Sequence, residues 1–474
     1  MATKKDLVEA YAFSRRRLVT AFVSGAPGGR EVEPARPGRM IVGGIAIAVL
    51  LLAGAAAAGA LKPRPDVDWM REAGLVTDDR GALYINLEET DSPGQPLLRS
   101  VINVTSAQLI LGSEAEAEKV PTEEIADQRK GPPIGILGAP ATVPEADTLI
   151  NSGWTSCTGT GLGIRTHVAA NPQAEPTPRL GFVVRGADSG DAFLIAEADV
   201  PGLPTRAYRY PLPDNDALYA ALQVSPTDEV TVPDPWLELF PPGGPLGARG
   251  LGIAGWGDRA RVAGYPADAL VGDWFTHSGR PFALTEAGAV ELTPFAAAVL
   301  QSTSLGERLP RRLDVADSGT FTIDRAEPFA GAQWPEEVLD GSAGADEELC
   351  AVLQTAEDEE PAARLGVEPS ESASAQGVPP TMSEATVASG HGAVVSSADW
   401  ISDGGGTVHL IDDRGYSYPL AGQTEVDNLG YGGVPEVVVP HYWNKLFAVG
   451  PELSREAALC PPATAGEGRP RTCS

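Results

Sequence analysis

One uncharged stretch constrains the fold of this chain more than any other feature. Residues 40–61 read MIVGGIAIAVLLLAGAAAAGAL, 22 residues without a charged side chain. At about 1.5 Å of rise per residue, a helix of this length crosses the roughly 30 Å hydrocarbon core of a bilayer. We therefore predict a single membrane span at 40–61, with a short segment before it and a long one after it.

The competing interpretation of this stretch is a cleaved signal peptide. Ala58-Gly59-Ala60 has the small-x-small pattern of a processing site, and Ile45–Leu52 would then be the apolar core of the signal. That signal would need a leading region of 39 residues, and its first part has the pattern of a structured segment. The sequence favours a retained anchor.

Basic residues before the span predict its orientation. This segment holds four acidic and eight basic residues, the latter being Lys4, Lys5, Arg15, Arg16, Arg17, Arg30, Arg36 and Arg39. A short positive flank stays in the cytoplasm, so the following part lies on the far side of the membrane. Removing these residues from the totals of 35 basic and 64 acidic leaves the part after Leu61 with a net charge of −33. Such a surface repels nucleic acid, and we expect no nucleic-acid partner.

The exported part has the composition of a strand-rich protein. It is too long for one small core, which predicts two or more packed units. The 54 glycines and 42 prolines of the chain favour short strands and many turns over long helices. We predict a single-pass membrane protein that is mainly β with short helices.

Four cysteines, Cys157, Cys350, Cys460 and Cys473, all follow the predicted span. None belongs to a C-x-x-C pair, and an exported domain can be oxidised, so disulfides are expected. Three pairings are possible for four cysteines. We favour 157–350 in the body and 460–473 within the proline-rich tail.

The N-terminal segment predicts an amphipathic basic helix over residues 4–24. Apolar residues recur at helical spacing, with three arginines between them. This helix could lie on the anionic inner leaflet, dock to a cytoplasmic partner, or serve only as a positive-inside signal. The residues that we assign to partner contact are Leu7, Tyr11, Arg15, Arg16, Arg17, Leu18 and Phe22.

The N-terminal 25 residues, a linker and one span resemble the start of the EccB family of type VII (ESX) secretion systems. Further matches follow in order along the chain: Leu83-Tyr84, Asn103-x-x-Ser106-Ala107-x-Leu109-Ile110-Leu111-Gly112, Arg129-Lys130-Gly131-Pro132-x-Ile134-Gly135-Ile136-x-Gly138-Ala139-Pro140 and Trp154-x-x-Cys157. The resemblance implies an elongated exported domain with a β-rich core and repeat units at its ends. It also implies a structural subunit that self-associates and assembles with an FtsK/SpoIIIE-like secretion ATPase, a channel subunit and other membrane core subunits.

The exported part also repeats itself, independently of any family. Tyr208–Leu212 recurs as Tyr416–Leu420, and Val232–Phe240 recurs as Val439–Phe447 at nearly the same offset. This agreement predicts duplicated units. In each copy a proline starts a short helix, and Trp, Leu and Phe at +3, +6 and +7 form its buried stripe. These repeat-core residues are Trp236, Leu239, Phe240, Trp443, Leu446 and Phe447.

Weaker copies around 101–132 and 281–300 bring the number of small α/β repeat units to four, flanking a central core. Runs at Gly181–Arg185, Thr320–Ile323 and Gly392–Ser396 are predicted to pair in one central sheet. The predicted segments are 1–39 (cytoplasmic helix and linker), 40–61 (span), 62–80 (linker), 81–140 (unit 1), 141–190 (core, first part), 191–257 (unit 2), 258–310 (unit 3), 311–400 (core, second part, with an acidic mobile loop at 355–389), 401–456 (unit 4) and 457–474 (tail).

No stretch carries a known catalytic pattern. Phosphate-loop, G-x-S-x-G and H-E-x-x-H motifs are missing from the sequence, and the five histidines are scattered. We therefore assign no catalytic residue, cofactor or metal. Two other function classes stay open: a peptidoglycan-binding membrane anchor, and a membrane-anchored nucleotidase or wall hydrolase with an unrecognised site.

Overall fold

The protein divides into two compact units, Met1–Arg64 and Pro65–Ser474. The structure is a computed structural model that describes residues 3–24, 44–53, 69–70, 74–88, 96–262, 264–315, 321–325, 329–368, 375–400 and 406–462.

The first unit contains two described helices. Helix α1 covers Lys4–Ser24, as predicted, and α2 covers residues 44–53. Within the described ranges, no helix combines the length and the apolar character that a membrane crossing requires. The remainder of the predicted span, 40–43 and 54–61, lies outside the described residues.

Within Pro65–Ser474, repeat units 1, 2 and 4 share one topology. Three antiparallel strands are followed by a helix, and a fourth strand returns to pair in parallel with the first. In unit 1 these elements are β1 (Leu75–Thr77), β2 (Leu83–Glu88), β3 (Pro96–Ser100), α3 (Val104–Leu111) and β4 (Ala117–Lys119), followed by α4 (Thr122–Ala126).

Units 2 and 4 repeat this order. Unit 2 has β7 (Leu180–Gly186), β8 (Ala192–Ala198), β9 (Arg206–Pro211), α5 (Asp216–Leu222), β10 (Val230–Val232) and α6 (Asp234–Leu237). Unit 4 has β18 (Ala393–Ala398), β19 (Thr407–Ile411), β20 (Tyr416–Pro419), α9 (Gln423–Asn428), β21 (Val438–Pro440), α10 (His441–Asn444), β22 (Ala448–Val449) and α11 (Arg455–Ala458).

Unit 3 is a reduced version of the same design. It has β11 (Trp274–His277), β12 (Arg280–Leu284), β13 (Ala289–Glu291) and α8 (Pro294–Ser302), preceded by α7 (Ala248–Leu251). A parallel bridge from Arg312 to Trp274 stands in place of the fourth strand. The helix after the third strand starts at a side-chain cap in three units, because Asn103, Asn215 and Thr293 each accept a bond from a backbone N–H of the first turn.

The central sheet takes strands from both predicted parts of the core. Its order is β16 (Ala362–Glu368), β15 (Glu348–Gln354), β5 (Trp154–Thr158), β6 (Ile164–Val168) and β17 (Ser383–Val387). A short strand, β14 (Gly341–Ser342), pairs with β7, and three single-turn helices lie at Ala146–Thr148, Pro226–Asp228 and Ala330–Ala332.

Three apolar clusters hold these parts together. The largest joins the central sheet to the inner sides of units 2 and 4. A second joins units 2 and 3, where α5 packs against α8. A third joins units 1 and 4, where α3 contacts α9 and α11. The repeat units thus pack in pairs, 1 with 4 and 2 with 3, and units 2 and 4 contact the central sheet.

The predicted pairing of three distant runs in one sheet is wrong. Residues 181–185 belong to β7 of unit 2, 393–396 belong to β18 of unit 4, and Ile323 bridges to Ala289 of unit 3. Each of the first two is the opening strand of a repeat, so the predicted boundaries of units 2 and 4 are too late. The opening strand of unit 1 likewise lies inside the predicted linker 62–80. Strands buried on both faces, as β7 is, carry no alternation that identifies their partner.

The predicted mobile loop 355–389 is also wrong in its described part. It contains β16 and β17, which form the two edges of the central sheet. The acidic run 357–360 is the turn between β15 and β16, and Ala362, Ala363 and Leu365 beyond it are buried. Small alanines fill this strand, so the average composition of the window resembled that of a loop. Residues 369–374 lie outside the described part.

Candidate functional site

Helix α1 presents its predicted contact residues at the surface. Every side chain described along it is exposed, with Leu18 71% and Phe22 94% accessible. Leu7 and Tyr11 lie on the same side at helical spacing and are also exposed. Arg15 borders this apolar stripe, and Arg16 and Arg17 lie on other sides of the helix. Exposed aromatic and aliphatic side chains on one helix side are typical of a surface that binds another apolar surface.

The six repeat-core residues are buried, three of them in repeat unit 2 and three in repeat unit 4. Trp236 and Trp443 are 0% exposed and belong, with the leucine and phenylalanine of each copy, to the cluster on the central sheet. Pro233 and Pro440 stand directly before the single-turn helices α6 and α10, as the sequence indicates. The Trp236 indole N–H donates to the Ser156 carbonyl of the central sheet at 3.0 Å.

A second indole bond joins the two copies to each other. The Trp443 N–H donates to the Leu239 carbonyl at 3.2 Å, so unit 4 is bonded to the backbone of unit 2. On the polar side of this contact Arg209 and Glu238 form an ion pair at 2.8 Å. The charge of Glu238 raises the pKa of the nearby Tyr442 hydroxyl. The duplicated helices are therefore a junction between units as well as a core.

One polar contact that secures unit 2 has no signal in the sequence. Glu197, with a side chain 5% exposed, accepts two bonds from the Arg364 guanidinium at 2.9 and 2.8 Å and one from the Leu365 N–H at 2.9 Å. These partners are far apart along the chain. Only packing of β8 and β9 against β16 of the central sheet brings them together.

Cys157 and Cys350 are joined by a disulfide, the pairing favoured from the sequence. They lie directly opposite each other on the antiparallel strands β5 and β15. Both are fully buried, and the bond links the two parts of the central sheet. Cys460 is not a free thiol, while Cys473 lies outside the described residues, so the 460–473 pairing stays a prediction.

The potential sites for metal and phosphate have other structural roles. Among the described residues one group has ligand atoms close enough to share a cation: Cys157, Cys350 and Glu368. Both of its sulfurs are consumed by the disulfide. The glycine cluster 159–163 forms the tight connection between β5 and β6. A Cβ at Gly163 would lie 2.3 Å from the Pro379 and Met382 carbonyls, so this glycine allows close approach of two chain segments.

Two histidines are held neutral in the folded protein. Burial lowers the pKa of His167, and the positive charge of Arg165 lowers it further. Its Nδ1 lies 2.6 Å from the Thr386 hydroxyl on the neighbouring strand. Burial also lowers the pKa of His409, whose Nδ1 accepts from the Asn444 amide at 3.1 Å.

These shifts predict a loss of stability in mild acid. Both pKa values are lower in the folded than in the unfolded chain, so protons bind the unfolded chain first as pH falls through the ordinary value of 6.5. We expect the thermal midpoint to drop between about pH 7.5 and about pH 5.5. The drop should be smaller in a variant with His167→Asn and His409→Asn. An equal drop in wild type and variant, measured by circular dichroism, would assign the acid sensitivity to other groups.

Comparison with known proteins identifies a family to which this sequence is similar. The family described as "Type VII secretion system ESX-1, transport TM domain B" matches residues 1–464. The chain is 26% identical to "ESX-1 secretion system ATPase EccB1" of Mycolicibacterium smegmatis over 96% of this chain and 95% of that protein. It is also 26% identical to the protein of the same name from Mycobacterium tuberculosis over 96% and 94%.

Solved structures show the same fold. A chain of "an intact ESX-5 inner membrane complex" superposes with a TM-score of 0.61 at 20% identity, covering 99% of this chain and 97% of that chain. A chain of the "EccB3 dimer from the ESX-3 core complex" gives a TM-score of 0.61 at 21% identity, covering 82% and 99%. The family match extends over nearly the whole sequence and includes the N-terminal helix and all four repeat units. This chain belongs to the EccB family of type VII secretion systems.

Proposed function

We propose that this chain is a structural subunit of an inner-membrane type VII secretion complex and that helix α1 is its cytoplasmic assembly element. The observation that carries the second part is the exposure of the whole apolar stripe of α1. A helix that served only to orient the chain would need its basic residues alone. Leu18 and Phe22 add apolar area that a partner subunit would bury.

The proposed arrangement in the membrane follows from the charge distribution. Residues 40–61 form the single span, the N-terminus is cytoplasmic, and Pro65–Ser474 is the exported unit. The structures matched above come from an ESX inner membrane complex and from an EccB dimer. By analogy, the exported unit would associate with further copies of itself, and the complete subunit with the secretion ATPase, the channel subunit and other core subunits.

We assign this chain a scaffolding role and no nucleotide hydrolysis, although its curated relatives carry the word ATPase in their names. The glycine cluster nearest to a phosphate loop supports this assignment. Its Gly163 N–H donates to the Val378 carbonyl at 2.9 Å, so it is engaged within the fold. No lysine stands in or directly after this cluster in the sequence to reach a phosphate.

The assembly role predicts the effect of placing charge on the apolar stripe. Leu18→Asp with Phe22→Asp removes the contact area while all eight basic residues before the span stay in place. We expect the variant to insert and fold normally but to lose most of its copurification with the secretion ATPase and channel subunit from mild detergent. Quantitative mass spectrometry of the tagged protein measures this loss.

A matched control carries the same added charge on other sides of α1. Ala12→Asp with Phe13→Asp lies away from the stripe, at about 100° of rotation per residue. This control should retain the complex. If the stripe variant also copurifies with a full set of subunits, α1 is only an orientation signal. The contacts must then lie in the span or in the exported unit.

A further inference from the structure

Unit 2 contains an open cleft that the assembly role does not use. Two adjoining cavities of about 560 and 280 Å³ share Asp191, Phe193 and Pro211, so they form one continuous groove along the ends of β8 and β9. The larger cavity falls in the size range of ligand sites, about 300 to 1,000 Å³. The groove runs from Arg249 at one end to Asp234 and Glu238 at the other.

The walls of this cleft are apolar and poor in backbone donors. Phe193 and Leu246 supply apolar side chains. Proline also contributes repeatedly, at positions 211, 213, 242 and 245. Proline has no N–H, so a ligand that entered as an added β-strand would find few backbone donors to pair with. A polyproline II segment needs no such pairing, because its backbone stays solvated, and it packs on aromatic and proline rings.

The acidic side chains of the cleft outnumber the basic groups that pair with them at one end. Ser189 donates to the Asp234 carboxylate through its N–H at 2.8 Å and its hydroxyl at 3.1 Å, and Arg209 pairs with Glu238. Asp191 is exposed, and no side chain of the described residues binds its carboxylate. Three carboxylates therefore face one guanidinium at this end of the cleft. The excess negative charge is complementary to a basic side chain.

The duplicated unit 4 provides an internal comparison. Strand register places Phe193 opposite Pro211 and His409 opposite Pro419, so Phe193 and His409 hold the same position in the two repeats. In unit 4 the Ser417 hydroxyl donates to Asn444 at 2.7 Å, and both contact His409. These polar side chains stand in unit 4 where unit 2 has Phe193, Arg209 and Leu237. Glu238 is replaced there by Lys445, which reverses the charge.

We propose that the unit 2 cleft binds an extended, proline-rich peptide segment carrying one basic side chain. The prolines of the peptide pack on Phe193 and Pro211, and its basic group lies between Asp191 and Asp234. The peptide would belong to a partner protein in the exported compartment. The site lies within unit 2 and is independent of the role of α1, and its exported partner rests on the proposed export of Pro65–Ser474.

A fluorescein-labelled peptide PPRPP tests this proposal on the full-length protein in detergent. Fluorescence anisotropy should show saturable binding. Asp191→Asn should weaken it about fivefold, since an exposed charge pair contributes about 1 kcal/mol. Phe193→Ala should weaken it about tenfold through lost apolar contact. Asp188→Asn is the matched control: it removes an equal charge from an exposed residue of the same turn that does not line the cleft, and it should leave binding unchanged.

Three outcomes would overturn the proposal. Equal weakening by Asp191→Asn and Asp188→Asn would mean that the acidic protein attracts the peptide without using the cleft. Equal affinity for PPRPP and GGRGG would mean that the prolines are not recognised. Absence of saturable binding up to millimolar peptide, in wild type whose near-UV circular dichroism shows native packing, would mean that the cleft takes another ligand or none.

Discussion

Replacing Cys157 and Cys350 by alanine should lower the free energy of unfolding of Pro65–Ser474 by about 5 kcal/mol, because the bond closes a loop with a sequence separation of 193. A cross-link between residues so distant restricts the unfolded chain strongly. Both cysteines are fully buried where β5 pairs with β15. Backbone pairing of these two strands should therefore hold the register of the folded sheet without the cross-link. Urea unfolding of oxidised wild type and the double variant measures the difference.

The predicted Cys460–Cys473 pair is the internal control for this effect. Cys460→Ala with Cys473→Ala would open a much shorter loop, and the expected loss is about 3 kcal/mol. A smaller loss for the 157–350 pair than for the 460–473 pair would contradict the role assigned to the central bond. So would recovery of Cys157 and Cys350 as free thiols in a non-reducing peptide map.

Truncating Trp443 to alanine should cost about 3 to 5 kcal/mol, the range for large aromatic residues in a packed core. The side chain is fully buried where unit 4 meets unit 2 and the central sheet. Its removal leaves a cavity and also deprives the Leu239 carbonyl of its donor. Denaturant titration followed by intrinsic fluorescence and by circular dichroism measures the loss.

Two further tryptophan variants separate packing from hydrogen bonding. Trp443→Phe keeps an aromatic ring without the N–H and should cost less than Trp443→Ala. Trp256→Ala is the surface control, since Trp256 is only half-buried although its indole N–H also donates to a carbonyl, that of Ser304 at 3.0 Å. If Trp443→Ala is no more destabilising than Trp256→Ala, the two repeats are not joined through this residue.

The sequence by itself determined the features that rest on local chemistry or on self-similarity. The spacing of Leu7, Tyr11, Leu18 and Phe22 predicts α1, and the structure contains that helix with these side chains exposed. The duplicated Pro-x-x-Trp segments predict two buried tryptophans, because a repeat of this length preserves the residues that fill its core. Two of the four cysteines share the proline-rich tail, which favours pairing the other two in the 157–350 bond that the structure contains.

Tertiary structure alone decided which strands belong together. The runs at 181–185 and 392–396 each have five residues, three of them apolar, and nothing local to them indicates that each opens a separate repeat unit. The window 355–389 has the composition of a loop, yet contact with β15 and β6 makes two strands of it, since pairing satisfies the backbone groups that composition ignores. The ion pair of Glu197 with Arg364 and the open cleft beside Phe193 are both built from residues that are far apart in the chain. These residues come close to one another only when the sheets pack.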